Sequence, residues 1–370
     1  MLLAPGRMAG QQAATASPDD SANHVETALA GVTLSGYAEA SYSYSTHPSG
    51  NVIVGRLYDR FNDQFMLNAL KLVLDKPSRT DKFDAGFHTD IVFGQNATPI
   101  QSTGLKLGDQ GDLMQLYVTL NVPTPNGHGV QFRAGKMVSL MGVEGLDDVL
   151  NPTWSEGYQA IFVENATATG LDVDYKFNSH VETDVRVSNG WDKVQAVNGG
   201  KTFAVQLRIT PDSESVLALL GYVGPQEPNN DTAQRYGLQA VVNRKLTRRL
   251  TAWIQSGYGR EQANAALPDS TRDAIWWAVG GWLTWDFTTK VALAFRGDYL
   301  NDEEGARTSA VFGFPANTGQ KLGSATATVN IRGWPNALLR PEVRYDRSSL
   351  NPFGDKNDQV SVALSVAYLY

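Results

Sequence analysis

The C-terminal segment of the chain alternates strictly between apolar side chains and small or polar ones. The apolar set is Val360, Val362, Leu364, Val366, Tyr368 and Tyr370, and the other set is Gln359, Ser361, Ala363, Ser365 and Ala367. Side chains of a β-strand point alternately to opposite faces, so this segment predicts a strand with one apolar face. Strands of a membrane-spanning β-barrel need this pattern, because one face meets lipid and the other meets the interior.

Units of the same kind recur along the chain from Gly31 onward. In one of them Leu116 and Val118 alternate with Gln115 and Thr119. The units predict about sixteen strands, near residues 31–44, 63–75, 82–93, 113–122, 129–139, 169–177, 181–191, 201–210, 215–223, 234–244, 249–259, 273–287, 290–300, 321–332, 338–347 and 358–370. The gaps between them are alternately short and long.

An even strand count with alternating connections predicts an all-β fold. We expect one transmembrane antiparallel up-and-down β-barrel of about 16 strands over residues 31–370, with short turns at one end and long loops at the other. A soluble β-sandwich has no reason to keep every second connection short. The mean hydropathy is -0.27, and no stretch approaches the roughly 18 consecutive apolar residues of a membrane-spanning helix.

Composition excludes several classes of function. A net charge of -7 leaves no basic footprint for binding nucleic acid. The absence of cysteine excludes disulfide frameworks, thiolate metal sites and cysteine nucleophiles. Residues 1–30 are predicted to be a leader, because 1–16 resemble the end of a signal peptide and 17–30 are small, polar and acidic, which is typical of a flexible segment.

Aromatic residues collect at the predicted strand ends on the apolar face. Those beside long loops include Trp191, Tyr222, Tyr258, Tyr299 and Tyr345, and those beside short turns or the terminus include Trp285, Phe287, Tyr368 and Tyr370. The two sets predict aromatic girdles at the two membrane interfaces. The alternative is the ordinary enrichment of aromatic residues in strands.

Two residues interrupt the alternation. Asn68 falls on the face of Leu70 and Leu72, and Pro341 falls on that of Leu339, where it has no N–H for the ladder. A β-bulge near each is the predicted repair.

The predicted interior is polar. A barrel of about sixteen strands leaves an aqueous channel. Parity places on its water-facing side Lys71, Asp84, His88, Asp90, Arg133, Arg186, Arg208, Arg235, Arg296, Asp298, Arg332, Arg340, Glu342, Arg344 and Asp346. The four arginines from 296 onward lie among only three carboxylates, which suggests a basic stripe on one wall. Alternatively, pairs on adjacent strands, such as Arg344 with Asp298, merely solvate the lumen.

Several short blocks in a characteristic order carry a family resemblance. They are 62–76, Gly135-Lys136-Met137, Asn189-Gly190-Trp191-Asp192, Tyr258-Gly259-Arg260-Glu261, Arg296-Gly297-Asp298-Tyr299 followed by Asp302, Gly305, Arg307 and Thr308, and 342–348. From Gly31 to the end, the chain resembles the outer-membrane β-barrel porin-2 family, the OmpL-like porins of Gram-negative bacteria. Tyr370 replaces the phenylalanine that usually ends such barrels but keeps an aromatic ring.

The resemblance implies a location, partners and a constriction. It implies a barrel in the bacterial outer membrane with periplasmic turns and extracellular loops. The implied partners are outer-membrane lipid, lipopolysaccharide, the barrel assembly machinery and further copies in a homotrimer. It also implies that the longest connection, 140–169, folds into the lumen as the third outer loop.

The 140–169 connection is acidic. It carries Glu144, Asp147, Asp148, Glu156 and Glu164 and no lysine or arginine. Inside the lumen these acids would face basic wall residues and set up a transverse field that selects ions. The alternative is a surface loop packed over the barrel mouth.

The predicted function is passive diffusion of ions and small hydrophilic solutes, without a cofactor or a metal. A plugged structural or adhesive barrel is the alternative, and an outer-membrane hydrolase is less favoured. For a hydrolase, only His88 could face the lumen, beside Asp84 and Asp90, and no Gly-x-Ser-x-Gly elbow occurs. The residues leave the solute, the ion preference and the oligomeric state open.

Overall fold

The computed structural model describes residues 25–26, 31–264, 267, 269 and 271–370. The strands in this part of the chain are β1 (Val25–Glu26), β2 (Thr33–Ser45), β3 (Gln64–Lys76), β4 (Asp84–Phe93), β5 (Gly111–Val122), β6 (Val130–Val138), β7 (Thr167–Lys176), β8 (Val181–Trp191), β9 (Thr202–Asp212), β10 (Ser215–Pro225), β11 (Gln234–Lys245), β12 (Leu250–Glu261), β13 (Ala274–Asp286), β14 (Val291–Asp302), β15 (Gln320–Ile331), β16 (Ala337–Ser348) and β17 (Asp358–Leu369). The helical segments are Gln95–Ile100 and Asp148–Leu150, both 3-10, and α1 (Tyr158–Phe162). Among the described residues, no helix has the length and apolarity to cross a membrane.

Strands β2 to β17 form one closed antiparallel barrel. Each pairs with the next along the chain, and β17 pairs back with β2, where Leu364 lies opposite Tyr42. The short β1 pairs with the start of β2, with Val25 opposite Leu34. The prediction of a sixteen-stranded, all-β, up-and-down barrel is confirmed. The predicted leader, 1–30, otherwise lies outside the described residues.

The connections alternate in length around the ring. One end carries short turns such as 213–214. The other carries longer segments, of which four matter below: loop 1 (46–63), loop 2 (94–110), loop 3 (139–166) and loop 7 (303–319).

The barrel is apolar outside and polar inside. On β17, Leu364 and Val366 are 43% and 47% exposed, whereas Ser365 between them is fully buried and donates a hydrogen bond to Glu39. A closed ring pairs every strand edge, so an outward apolar band can face lipid without unsatisfied backbone groups.

The bulge predicted at Asn68 is confirmed. Glu39 and Ala40 pair with Ala69 and Leu67 respectively, so Asn68 is the extra residue on β3. The insertion inverts the alternation at this point and turns Leu67 outward.

The bulge predicted at Pro341 is wrong. Thr328 opposite Glu342 and Ile331 opposite Leu339 belong to a single register. The ladder between β15 and β16 has a gap around Pro341, because proline has no N–H to donate. The missing hydrogen bond does not require an extra residue, so no bulge forms.

Two aromatic residues predicted for the outer girdle face the interior instead. Trp191 and Tyr222 are 7% and 6% exposed, and their rings lie 5.0 Å apart. A register shift between β7 and β8 at Ala168 and Gly170 reverses the parity at Trp191. Strand β10 is apolar on both faces, and its inner face packs on Leu140 of loop 3, so alternation could not assign Tyr222.

Loops 1, 3 and 7 fold inward and share an apolar core within the barrel. Its members include Val54 and Tyr58 of loop 1, Tyr158 and Phe162 of loop 3, and Phe314 of loop 7. These side chains would be exposed in an open lumen and are covered by one another, so much of the interior is filled by loops.

Candidate functional site

Loop 3 leaves β6, crosses the barrel interior and returns to β7. Near its start the Val143 N–H donates to the Gln255 side chain of β12 at 2.8 Å. Further on, the Trp154 N–H donates to the Glu342 carboxylate of β16, also at 2.8 Å. The loop is therefore held at widely separated points of the ring.

A buried ion pair lies at the centre of this attachment. Arg296 Nη1 on β14 is 2.7 Å from Glu144 Oε1, and both side chains are almost completely buried. Glu144 also accepts hydrogen bonds from Trp282 Nε1 at 2.9 Å and from the Gly157 N–H at 2.6 Å. Such partners are required because an unpaired buried charge is costly.

The arginines of β16 also bind loop 3. Arg340 donates to the backbone carbonyls of Asp148 and Asn151 at 2.5 and 2.8 Å. Arg344 donates to the carbonyl of Glu156 at 2.6 Å. The three arginines of this wall therefore hold the loop instead of forming a stripe open to water.

Carboxylates of the same wall receive donors from the loops. The Tyr158 N–H donates to Asp298, and the Tyr158 hydroxyl donates to Asp346 at 2.7 Å. Asp346 also pairs with Arg56 of loop 1 at 2.7 Å and with Arg344 at 2.8 Å. The suggested pairing of Arg344 with Asp298 is therefore wrong, because the neighbour on its own strand is the partner.

Two residues predicted for the lumen wall lie at its short-turn rim. Arg332 follows the end of β15 and has an exposed side chain in the turn 332–336. The prediction for Arg332 is wrong because the strand ends at Ile331. Asp84 begins β4, is half-buried, and accepts a hydrogen bond from the Arg79 N–H at 3.0 Å.

The other acids of loop 3 do not face the wall across a gap. Asp147 Oδ1 lies 2.6 Å from Lys71 Nζ. Asp148 and Glu156 are buried, and burial followed by neighbouring carboxylates raises the pKa of each well above its usual range. Neither carboxylate oxygen of Glu156 has a hydrogen-bond partner among the described residues. The acids therefore contact the wall or remain buried, and they do not generate a field across open water.

Lys71, His88 and Asp90 form a second buried cluster. Lys71 Nζ lies 2.8 Å from Asp90. His88 lies between Asp75 and Asp90, at 2.9 and 2.6 Å, and its ring stacks on Tyr117 with 5.2 Å between centroids. Every charge in the cluster has an opposite partner.

The wall formed by β5 to β9 borders a narrow crevice beside the start of loop 3. Its volume is about 20 Å³, enough for about one or two water molecules. Its charged lining residues are Arg133, Arg186, Arg208, Glu182 and Asp184. Arg133 pairs with Asp184 at 2.6 Å and Arg208 with Glu182 at 3.2 Å, and Glu182 is still 25% exposed.

Asp174, Glu182 and Asp184 bring carboxylate oxygens within 4.8 Å of one another. Arg133 and Arg208 already pair with this group, at 2.6 Å to Asp184 and 3.2 Å to Glu182. The arrangement is therefore an ion-pair network.

Arg235 belongs to an aromatic cluster near the long-loop end. Its guanidinium carbon lies 4.8 Å from the ring centre of Trp191 and 5.6 Å from that of Trp276. Arg235 Nη2 is 2.7 Å from Glu261. Glu261 therefore neutralises the charge of Arg235, and the guanidinium lies against the rings of Trp191 and Trp276.

The sequence of this chain matches the model of a known protein family. The family model described as Putative beta-barrel porin-2, OmpL-like, matches residues 31–370. The chain belongs to this porin family. Its members are outer-membrane channels, so the protein is a porin of the bacterial outer membrane.

Solved structures share the fold of this porin at low identity. The outer membrane channel DcaP of Acinetobacter baumannii has a TM-score of 0.60 and 13% identity, over 92% of this chain and 97% of that chain. OprB of Pseudomonas putida has a TM-score of 0.58 and 12% identity, over 92% and 94%. An anion-selective porin from Comamonas acidovorans has a TM-score of 0.58 and 7% identity, over 92% and 99%. No curated protein matches the sequence significantly.

The remaining girdle residues of the porin lie at its outer face or its end. Tyr370 is half-buried, and its hydroxyl donates to the backbone carbonyl of Lys71 at 2.7 Å. Exposed or half-buried on the outer face are Tyr258, Tyr299, Tyr345, Trp285, Phe287 and Tyr368.

Sequence reasoning missed the part that loop 1 plays in the porin interior. Arg56 is fully buried, and its guanidinium contacts Asp59 at 3.0 Å and Asp346 at 2.7 Å. Loop 1 has no regular period, so parity said nothing about it. The available signal was the apolar pair Ile53 and Val54, which is unusual for an exposed loop.

Glu164 of loop 3 is a buried carboxylate that we expect to make the stability of the porin depend on pH. Its carboxylate accepts a hydrogen bond from Gln239 at 3.0 Å, and burial raises its pKa to about 8 from 4.5. Gly142, at φ +89, leaves the space that this carboxylate occupies. The unfolded chain releases the proton near pH 4.5 and the folded chain near pH 8, so the folded state binds more protons in between.

Stability is therefore expected to fall as pH rises from about 4.5 to about 8, and this component should disappear in Glu164→Gln. The urea midpoint at pH 5 and pH 8 measures the effect. Glu214→Gln, at an exposed short turn, is the matched control and should retain the parent's pH dependence. Equal pH dependence in Glu164→Gln and the parent would contradict the assignment.

Proposed function

We propose that ions and small hydrophilic solutes cross this porin along the wall of β5 to β9, through the crevice beside loop 3. The supporting observation is that the interior arginines form two groups, one bound to loop 3 and one lining the crevice. Arg296, Arg340 and Arg344 are occupied by loop 3, whereas Arg133 and Arg208 line the crevice. Loop 3 then acts as a constriction whose width limits solute size.

The crevice favours anions weakly. Its lining has three arginines and two carboxylates, and fixed charges beside a narrow passage select ions by sign. The Comamonas acidovorans porin of the same fold is anion-selective. At 7% identity that likeness supports the architecture, so the preference rests on the lining residues.

Charge neutralisation in the crevice tests the proposed path. Arg208→Gln is expected to move the reversal potential in a salt gradient towards cations, and Glu182→Gln is expected to move it towards anions, because both side chains border the passage. Planar-bilayer recording with potassium chloride measures both shifts.

The matched control is Arg244→Gln. Arg244 forms a loose pair, 3.9 Å from Asp212, with both side chains more than half exposed. It should leave the reversal potential unchanged. Shifts of the same size in Arg208→Gln and Arg244→Gln would place the path elsewhere.

A plugged structural or adhesive barrel is the second candidate. It is favoured by the dense packing of loops 1, 3 and 7 and by a crevice volume of about 20 Å³. Stepwise conductance from the purified protein supports the open porin. Electrical silence from folded, heat-modifiable protein supports the plug.

We also infer that the porin has no enzymatic activity. His88 has both ring nitrogens within 2.9 Å of carboxylates and is 1% exposed, which leaves it no route to a substrate. Outer-membrane lipid and lipopolysaccharide are the proposed surroundings of the apolar band, and the barrel assembly machinery is the proposed insertion partner. A trimer form is described for OmpT of Vibrio cholerae, and we propose a homotrimer for this chain.

A further inference from the structure

A cavity lies at the long-loop end of the barrel, among loops 1, 2 and 7. Its volume is about 380 Å³, within the range of about 300–1,000 Å³ that is typical of small-molecule sites. The apolar lining comes from all three loops and includes Val52, Phe61, Pro99, Val311 and Phe312. Loops 2 and 7 are separate from the crevice beside β5 to β9.

Among the residues that the structure describes, the charged lining of this cavity is entirely basic. Its charged members are Arg56 and Arg60, and none of the described lining residues carries a carboxylate. Arg56 is already neutralised by Asp59 and Asp346. Arg60 is therefore the cation that remains for a ligand.

Arg60 retains most of its hydrogen-bonding capacity. Among the described residues no carboxylate lies within ion-pair distance of it, and its Nε is buried without a hydrogen-bond partner. Its recorded hydrogen bond is a long one, 3.5 Å from Nη2 to the Gln95 carbonyl. A guanidinium has five N–H donors and favours carboxylates and other oxyanions.

The apolar walls of the cavity are pre-formed. The guanidinium of Arg60 lies 5.3 Å from the ring centre of Phe61. Phe312 has φ +48, an uncommon conformation for an aromatic residue, and its carbonyl accepts a hydrogen bond from the Gly55 N–H at 2.8 Å. Loops 1 and 7 are thus tied together with Phe312 facing the site.

We propose that this cavity is a binding site for a small organic anion with an apolar body and one carboxylate or equivalent oxyanion. Arg60 binds the anionic group, and Val52, Phe61, Val311 and Phe312 cover the apolar part. A solute held here would be captured at the outer mouth before it reaches the constriction. The cavity shares no lining residue with the crevice, so binding can be measured without any current.

The test uses three probes of one shape: cyclohexanecarboxylate, cyclohexanol and cyclohexylammonium. Isothermal titration calorimetry on the full chain in a zwitterionic detergent measures the affinity for each. The carboxylate is expected to bind at least about tenfold more tightly than the other two, because only the carboxylate can form a hydrogen bond with Arg60 in which both partners are charged. Equal affinity for the carboxylate and the alcohol would overturn the proposal.

Two variants locate the site. Arg60→Gln should lower the affinity for the carboxylate to that for the alcohol, and Val311→Asp, which places a carboxylate at the exposed edge, should also abolish binding while leaving Arg60 in place. Arg272→Gln, at an outer-loop arginine that is 67% exposed, is the matched control and should bind as the parent does. Heat-modifiable migration shows that each variant is folded. Parent-like binding in folded Arg60→Gln would refute the site, whatever the conductance of the protein.

Discussion

Replacing Arg296 with methionine is expected to lower the free energy of unfolding by about 3–5 kcal/mol, because it leaves the Glu144 carboxylate buried without its cation. Thr153 Oγ1, 2.7 Å from Arg296 Nη1, and the Ser155 carbonyl lose their contacts as well. Methionine keeps an unbranched apolar side chain, so most of the loss comes from charge and hydrogen bonding. Loop 3 should consequently loosen around Glu144, while Arg340 and Arg344 still bind its backbone.

Two measurements follow this change. Urea titration in lipid vesicles, followed by tryptophan fluorescence, gives the free energy of unfolding. Single-channel recording should show a larger and noisier conductance, because a loosened loop widens the constriction. The additional change Glu144→Gln should recover part of the loss, since it removes the uncompensated charge.

Arg244→Met is the matched control for Arg296→Met. Its pair with Asp212 lies at the surface and spans 3.9 Å, so its removal should change stability little. If Arg296→Met costs no more than Arg244→Met, the buried pair does not anchor loop 3.

Replacing Leu364 with arginine is expected to cost about 2–4 kcal/mol, because the side chain lies on the lipid-facing band near the middle of β17. Leu364 is 43% exposed on the outer face and pairs with Tyr42 and Pro341 on the neighbouring strands. The same urea titration measures the loss. Val366→Arg should behave alike, since Val366 is on the same face at 47% exposure.

The control for the lipid-facing substitutions must be an inward-facing residue with enough space around it for an arginine side chain. Ser365 is fully buried against Glu39, so an arginine there would be overpacked whichever face it occupied. Gln131 on β6 is half-buried, faces the interior and lies opposite Asp174. Gln131→Arg should therefore be tolerated. A loss at Gln131 equal to that at Leu364 would mean that the inner and outer faces are assigned the wrong way round.

The strands and their faces could be predicted because they depend on local periodicity. The predicted strand 358–370 and the observed β17 (Asp358–Leu369) nearly coincide. The prediction failed where periodicity is broken or uninformative. A bulge in β8 turned the Trp191 side chain from the outer face to the inner face. Both faces of β10 are apolar, so alternation could not show which way Tyr222 points. Strand β15 ends before Arg332, which therefore lies in a turn.

The contacts of the candidate site could be predicted only in part. Parity identified Arg296 and Arg344 as inward-facing, and the acidity of loop 3 marked it as different from its neighbours. The pairing of Arg296 with Glu144 joins residues 152 positions apart, and no local pattern encodes such a contact. The contact of Arg56 with Asp346 could not be predicted for the same reason, although the apolar pair Ile53 and Val54 was a signal that loop 1 is buried.

The C-terminal alternation from Gln359 to Tyr370 determined, with its repeats, that this chain would close as a barrel with an apolar exterior. Alternation is a property of each strand alone, and closure follows because lipid leaves no strand edge unpaired. The tertiary structure alone decided how the interior is used. Interior charges choose partners by distance and burial, so the arginines of β14 and β16 hold loop 3, while those of β6, β8 and β9 border the crevice.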